Sequence, residues 1–163
     1  MKHFVAITIV LIACGCAARL GRPAEERRSD RLASERRRLA KIKDPVERTQ
    51  HYIRITQLLI DSVADAARES NFETMGMLLD EYMEAVRSAQ TTMVNSGRDP
   101  TVEPAGFTDL ELALREEARR LQDISRSLRV DDRPSIELTW GSTVSIREGL
   151  LRLIFPQAAA SPD

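Results

Sequence analysis

Histidine, cysteine and clustered carboxylates are the residue types in this sequence that could catalyse a reaction or bind a metal ion. The chain has two histidines, His3 and His51, and two cysteines, Cys14 and Cys16. Three of these four residues lie within the first 16 positions, so His51 is the only histidine or cysteine in the rest of the chain. This distribution excludes a zinc site built from His and Cys ligands, an HExxH motif and a Cys–His pair there.

Carboxylates do cluster, but without the histidines that a metal site in a helical protein would need. Asp80, Glu81 and Glu84 are close in sequence, as are Glu116 and Glu117. A di-iron bundle directs Glu-x-x-His pairs toward its interior, and neither cluster contains a histidine. Asp80 and Glu84 of the first cluster fall on the polar side of a predicted helix, which indicates a solvated surface. We therefore predict that the protein is not an enzyme and holds no metal ion or other cofactor.

Two single residues, His51 and Trp140, are of types that often occur in functional sites. His51 falls on the polar side of its predicted helix, which indicates an exposed histidine. Its possible catalytic partner Ser62 is on the same side but about 16 Å away along the helix axis. Trp140 lies among apolar residues of the last predicted helix, which favours a core position over a ligand platform. The seven glycines are scattered, so no glycine-rich phosphate loop is present.

The start of the chain combines a short basic segment with an apolar run. Met1-Lys2-His3 precedes the run, and no charged residue follows until Arg19. Counted to Ala18, the run has 15 residues, whereas a membrane-spanning helix needs about 20. The order of a positive segment, an apolar segment and small residues is typical of an export signal.

The run ends in Leu11-Ile12-Ala13-Cys14, which resembles the lipobox of bacterial lipoproteins. The resemblance implies cleavage before Cys14 and diacylation of its sulfur, usually with acylation of the new amine. The mature protein would then be an exported lipoprotein of the cell envelope, held at a membrane by its N-terminal lipid. Gly15 is not the aspartate associated with inner-membrane retention, so outer-membrane sorting is permitted.

Other interpretations of this segment stay open. Ala13-Cys14-Gly15-Cys16 is a weaker lipobox, which makes Cys16 the alternative lipidation site. A small-residue cleavage site at Cys16-Ala17-Ala18 would instead leave a soluble secreted or periplasmic protein. An uncleaved anchor is a third alternative. The basic residues that follow oppose export, because basic charge is disfavoured on the exported side of a membrane.

Charge is unevenly distributed along the chain, although the whole chain has a net charge of -1. Residues 19–43 contain ten basic and four acidic residues, a net charge of plus six, and residues 44–163 have a net charge of minus eight. Next to a lipid anchor, each basic residue can contribute about 1 kcal/mol of attraction to an anionic surface. The arginines proposed for such contacts with lipid or an envelope polymer are Arg27, Arg28, Arg31, Arg36, Arg37 and Arg38.

A solvated linker helix is the alternative interpretation of this basic segment, because it has no clear apolar stripe. Nucleic acid is not an expected partner, since four acids are mixed among the arginines and the remainder of the chain is acidic.

We divide the chain into a signal peptide at 1–13, a lipid-anchored Arg-rich stalk at 14–43, a helical bundle domain at 44–155 and a flexible tail at 156–163. Because both cysteines lie at the proposed processing site, no disulfide bond can form within the bundle.

The body of the chain predicts an all-α fold, an antiparallel helical bundle of about four body helices preceded by the stalk helix. Asp44-Pro45-Val46-Glu47 combines an N-cap, a first-turn proline and a glutamate three residues after the cap. Thr108 with Glu111 predicts a second capping box, in which Phe107 would pack on Leu112. The predicted helices cover residues 45–70, 72–95, 108–128 and 135–155.

Two stretches of the body have sequence patterns that fit more than one structure. Residues 138–145 contain threonine, glycine and valine, which lower helix propensity, so this stretch is open between helix and strand. Residues 67–86 faintly resemble a tetratricopeptide unit. No second copy follows at about 34 residues, and such arrays need about three repeats. The resemblance therefore indicates only a helical hairpin.

One ion pair is predicted inside the bundle. Glu117 and Arg147 each fall in the middle of an apolar stripe, on the third and fourth body helices. If these helices pair around a turn centred near residue 132, the two side chains should meet. We expect a partly buried pair that fixes helix register more than it adds stability.

The combined pattern predicts a non-enzymatic cell-envelope lipoprotein. Its helical bundle would dock another envelope protein, or a second copy of itself, through a helix face. The alternative is a module that binds an anionic surface through residues 19–43.

Overall fold

A computed structural model describes residues 24–156 of the chain. It contains five α-helices: α1 (Ala24–Leu39), α2 (Pro45–Arg68), α3 (Phe72–Val94), α4 (Phe107–Ser127) and α5 (Pro134–Ile154), with a 3-10 turn at Val130–Asp132. No strand is present among these residues. The predicted all-α bundle is confirmed, and residues 138–145 are helical. None of the described helices has the length and apolar character needed to cross a membrane.

The hairpin of α2 and α3 is the most extensive helix pair in the bundle. The Asp44 side chain accepts a hydrogen bond of 2.9 Å from the Glu47 backbone N–H, which confirms the predicted cap of α2. Ser70 turns the chain with a φ of 57°, and Asn71 caps α3 by accepting from the Thr74 backbone N–H. These local signals fix both ends of the turn, so the two apolar faces meet along their length.

The start of α4 differs from the prediction. The helix begins at Phe107, one residue before the expected cap Thr108, and Gly106 precedes it without a side-chain capping bond. Gly106 has a φ of 81°, a conformation that glycine adopts at little cost. Phe107 is 1% exposed and Leu112 is 50% exposed, so Phe107 packs into the core and the predicted staple is wrong.

The core is formed where α2, α3, α4 and α5 face one another. Its fully buried side chains are mostly aliphatic, which follows from the helical spacing of apolar residues in these four segments. Members from each helix include Leu59 and Ile60, Tyr82 and Val86, Leu114 and Leu121, and Ile136 and Leu150. Trp140 is 37% exposed, so the predicted core position of this residue is wrong.

The part of the predicted stalk that the structure describes packs on the bundle as α1. Leu32 and Leu39, seven residues apart, pack against the core. Arg28 binds Asp65 of α2, and Arg36 donates to Glu81 of α3 over 2.8 Å. Residues 24–39 are therefore a fifth packed helix and not a free linker. The predicted signal peptide, both cysteines, the first part of the stalk and most of the predicted tail lie outside the described residues.

Candidate functional site

The six arginines proposed for surface contacts divide into two groups on α1. Arg28 is half-buried against Asp65, and Arg36 is paired with Glu81. Arg27, Arg31, Arg37 and Arg38 are exposed, and Arg38 also lies 3.8 Å from Glu35. Arg27, Arg31 and Arg38 are separated by four and seven residues, which places them on one side of the helix. This exposed basic stripe is what remains available for a ligand.

A shallow cleft of about 270 Å³ lies beside this stripe, between α1 and α2. Its lining residues are Arg27, Arg28, Arg31, Leu58 and Asp61. Asp61 is bound by Arg120 of α4, so its negative charge is already engaged. The cleft therefore presents mainly positive charge to solvent.

His51 lies in a polar contact that holds α1 on α2. Its Nδ1 is 2.6 Å from Glu35 Oε2, and the Arg54 Nε donates to the same oxygen over 3.1 Å. His51 is 5% exposed, so the prediction of a surface histidine is wrong. Burial would raise the pKa of Glu35, but the hydrogen bonds from Arg54 and His51 outweigh it and lower that pKa below 4.5. His51, the only histidine after residue 3, therefore forms a structural contact with Glu35.

A buried polar cluster surrounds Glu117 at the centre of the bundle. Thr56 of α2 donates to Glu117 Oε1 over 2.6 Å, and Tyr82 of α3 donates to Oε2 over 3.1 Å. The Tyr82 oxygen is also 3.3 Å from the Thr143 hydroxyl of α5. One carboxyl group of α4 is therefore linked to the three other helices of the core.

The burial of this cluster changes the acidity of its members. Glu117 is 2% exposed, and the loss of hydration raises its pKa to about 7, against the opposing hydrogen bonds from Thr56 and Tyr82 and the charge of Arg120. The pKa of Tyr82 is raised by burial and by the neighbouring Glu117. A raised carboxyl pKa is a feature of many active sites, but it also follows from simple burial. With both oxygens bonded to core hydroxyl groups, this carboxyl group is enclosed at the point where the core helices meet.

Arg147 binds a glutamate other than the one predicted. Its Nε donates to Glu111 Oε1 over 2.8 Å, and Arg115 also donates to Glu111 over 2.8 Å. The expected Glu117–Arg147 pair is therefore wrong. Because α4 ends at Ser127 and α5 begins at Pro134, the turn is centred nearer residue 130 than 132. The position of α4 that faces Arg147 is therefore nearer the start of α4, and Arg147 reaches Glu111, six residues before Glu117.

The remaining acids do not form a metal-binding arrangement. Asp80, Glu81 and Glu84 are exposed, as the predicted place of Asp80 and Glu84 on the polar side of α3 indicated. Within residues 24–156, no group of three or more His, Cys, Asp or Glu side chains is placed to hold a metal ion. The chemistry-bearing side chains of this part of the chain are used in packing contacts or are dispersed on the surface.

Large apolar side chains are exposed along α5. Leu138 is 75% exposed, Phe155 at the end of the helix 58%, and Leu153 42%. This surface was not predicted from the sequence, where the apolar residues of the last helix indicated a single stripe that faces the core. The signal was present, since Ile136, Leu150 and Ile154 lie on one side of a helical wheel while Leu138 and Leu153 lie on others.

Comparison with protein-family models, with curated protein sequences and with solved structures found no match to this chain. Its function must therefore be inferred from its own residues and from their geometry.

Proposed function

We propose that this chain is a lipid-anchored, non-enzymatic module of the bacterial cell envelope whose helical bundle docks a protein partner. The proposed anchor is Cys14, with Cys16 as the alternative, on the resemblance of Leu11-Ile12-Ala13-Cys14 to a lipobox. The bundle follows the anchor along the chain, so its surface would be displayed close to the membrane.

The observation that carries the docking role is the exposed apolar surface of α5. Single exposed apolar residues are normal on soluble proteins. Here Leu138 and Leu153 lie on one helix at the edge of the bundle and Phe155 follows its end, and the main contacts of α5 are with α3, α4 and the preceding turn. Leu138 and Leu153 are about 22 Å apart along the helix axis, so a partner that covers both of these exposed apolar side chains would have to extend along α5, as a protein partner can.

The absence of a catalytic role is supported by how the reactive side chains are used. His51 contacts Glu35 at the junction of α1 and α2, and Glu117 is enclosed by core hydroxyl groups. A general acid or base must reach the proton that it transfers. Neither group has solvent access at which a substrate would meet it.

The anchor is tested by expressing the full chain in a bacterial host and measuring its fractionation and its N-terminal mass. We expect a membrane-bound chain that begins at Cys14 and carries lipid. Cys14→Ser should release the chain or leave its signal uncleaved, whereas Cys16→Ser should leave fractionation unchanged. An unmodified chain that begins near Ala18 would contradict the anchor.

Docking is tested by cross-linking the lipidated protein in its own envelope. We expect a defined product, formed with a protein partner, whose yield falls when Leu138→Gln and Leu153→Gln are combined. The matched control is Met77→Gln with Val94→Gln, which changes two exposed apolar residues of α3. Recovery of the chain only as a monomer would contradict a docking role.

The basic stripe of α1 supports a second candidate function, binding to an anionic surface. Arg27 and Arg31 are exposed beside the cleft, and Arg38 continues the stripe with its side chain 65% exposed and 3.8 Å from Glu35. Each exposed arginine of this stripe can bind a phosphate group through two N–H donors of its guanidinium group.

This second function predicts salt-sensitive binding to vesicles that contain anionic lipid. The combined variant Arg27→Gln, Arg31→Gln and Arg38→Gln should reduce binding at least tenfold. A control of equal charge change is Arg68→Gln, Arg119→Gln and Arg126→Gln, whose side chains are 75%, 70% and 67% exposed on other helices. Equal loss in both variants would show that only net charge matters and would contradict a specific basic stripe.

A further inference from the structure

The outer face of α5, defined here as Leu138, Gly141, Ser145, Gly149 and Leu153, lies opposite the buried side of the helix. The residues of α5 that enter the core are Ile136, Thr139, Thr143 and Leu150. On a helical wheel, Ser145 is about 160° from Thr143, so the outer face points away from the bundle. Leu138 and Leu153 stand at its two ends, 75% and 42% exposed.

The two glycines of this face have no packing reason within the described chain. A Cβ added at Gly141 or Gly149 would meet nothing within 4 Å. Glycine in a helix interior lowers helix stability relative to alanine. Gly141, Ser145 and Gly149 follow one another at four-residue spacing, an arrangement that lets the backbone of a second helix approach closely.

Three exposed charged residues lie on or beside the outer face: on a helical wheel, Arg152 is about 20°, Glu148 about 60° and Glu137 about 80° from Ser145, all on the same side. Glu137 and Arg152 are complementary between two copies in one orientation. Glu137 and Arg152 are both exposed, and Arg152 forms no ion pair with another residue of the part that the structure describes. If two α5 helices pack antiparallel around Ser145, Gly141 of one lies beside Gly149 of the other. Glu137 then lies beside Arg152 of the second copy, on the same flank. A parallel arrangement would place like charges together, which is unfavourable.

From this pattern we propose that the outer face of α5 is the docking surface for a second copy of this chain, packed antiparallel about a two-fold axis at Ser145. Such an interface is isologous, since each residue meets the same surface of the other copy. One helix pair buries less than the roughly 1,200 Å² of a stable complex, so the dimer is weak in dilute solution. This step rests on the proposed lipid anchor, because tethering to one membrane raises the effective concentration of the two copies.

The orientation is tested by cysteine cross-linking of the full chain in native envelopes. The variants are Ser145→Cys, Leu138→Cys and Thr91→Cys, with the wild type reporting any dimer formed by the native cysteines. A disulfide requires Cα atoms within about 7 Å. Residues at 145 would meet across the axis, whereas two residues at 138 would be about 20 Å apart at 1.5 Å per residue. We expect an oxidation-dependent dimer for Ser145→Cys that is at least tenfold above the other two variants.

A second set of variants separates the dimer from fold stability. Gly141→Ala with Gly149→Ala should raise the melting temperature of the chain yet reduce the Ser145→Cys dimer at least tenfold. Gly76→Ala on α3, where an added Cβ also meets open space, should raise the melting temperature without changing the dimer. Glu137→Arg should reduce the dimer, and adding Arg152→Glu should restore it.

The outcomes distinguish this proposal from the proposed anchor. A chain that remains in the membrane fraction but gives no Ser145→Cys dimer overturns the second copy and leaves the anchor intact. A chain found in the soluble fraction that still forms the dimer overturns the anchor only. Equal dimer from Ser145→Cys and Leu138→Cys overturns the antiparallel arrangement, and a Ser145→Cys adduct with a different protein identifies another occupant of this face.

Discussion

The Tyr82 hydroxyl donates a hydrogen bond of 3.1 Å to Glu117 across the interface of α3 and α4. Thr56 of α2 donates to the other oxygen of the same carboxyl group, and Thr143 of α5 lies beside the tyrosine hydroxyl. The four core helices therefore meet at one acidic side chain that has no cation bonded to it within the described residues. A buried carboxylate without a bonded cation is costly when ionised, so this meeting point makes stability depend on pH.

We expect Glu117 to lower the stability of the fold as the pH rises. Its pKa is raised from 4.5 to about 7 by burial. The contribution of Glu117 to the free energy of unfolding is therefore fully present below pH 4.5. Between pH 4.5 and pH 7 it falls, because the carboxyl group loses its proton in the unfolded chain but keeps it in the fold, and above pH 7 it is at its minimum. The loss is on the order of 3 kcal/mol, at 1.36 kcal/mol for each pKa unit. Urea unfolding at several pH values, followed by Trp140 fluorescence, measures it.

Glu117→Gln is the variant that isolates this effect. The amide stays neutral, and it can accept from Tyr82 while donating to Thr56, whose hydroxyl also bonds the Ile53 carbonyl. The difference in unfolding free energy between the variant and the wild type should favour the variant increasingly from pH 4.5 to pH 8. The exposed Glu84→Gln serves as the control and should show no such trend. A wild type whose stability relative to Glu117→Gln is the same at both pH values would contradict the raised pKa.

The burial of Glu117 was predictable, but its bonding partner was not. Its place in the apolar stripe of α4 indicated a buried position, and it is 2% exposed. The partner depends on the length of the turn between α4 and α5, because each residue by which the turn centre moves changes the facing position by two. The Glu111–Arg147 contact is centred on residue 129, three residues before the centre of the expected pair. Helical periodicity carries no information on that length. It also cannot reveal Thr56 and Tyr82, which approach from helices that are distant in sequence.

The observed register should be measurable as energetic coupling between Glu111 and Arg147. A double-mutant cycle with Glu111→Gln and Arg147→Gln should give a coupling of at least about 1 kcal/mol, because the two residues share a hydrogen bond of 2.8 Å and Glu111 is 3% exposed. The parallel cycle with Glu117→Gln and Arg147→Gln should give less than about 0.5 kcal/mol. The reverse order of the two couplings would restore the register predicted from the sequence.

The packing of α1 should depend on Glu35. Replacing it with glutamine removes the charge that faces His51 and Arg54, which we expect to cost about 1–2 kcal/mol at pH 7. Because the pKa of Glu35 is lowered in the fold, this stabilisation is present above pH 4.5 and is lost as the pH falls through the lowered value. Trypsin cleavage within the Arg-rich helix should become faster in the variant than in Glu84→Gln. Unchanged cleavage would contradict a role for Glu35 and would show that Leu32, Leu39 and the pairs of Arg28 and Arg36 hold α1 without it.

The packing of α1 on the bundle could not be predicted from sequence patterns. Its apolar contacts come from two leucines, too few to form a stripe, so the sequence favoured a solvated or membrane-facing helix. The helix is instead held by charges, through Arg28 with Asp65, Arg36 with Glu81 and Glu35 with Arg54. Such pairs join residues 19 to 45 positions apart in the chain, and no local pattern reports them.

Two glycines should respond in opposite directions to replacement by alanine. Gly76 lies inside α3, and an added Cβ would meet nothing within 4 Å. Gly76→Ala should therefore raise the free energy of unfolding by about 0.5–1 kcal/mol, since alanine is the better helix former. Gly106 has a φ of 81°, and its Cβ would be 2.7 Å from Met93 Sδ in the core. Gly106→Ala should lower the free energy of unfolding by about 1–2 kcal/mol, because alanine is strained at positive φ and Met93 must move. Thermal and urea unfolding of both variants measure the two effects, and stabilisation by Gly106→Ala would show that α4 starts in a different conformation, such as the Thr108 cap that the sequence predicted.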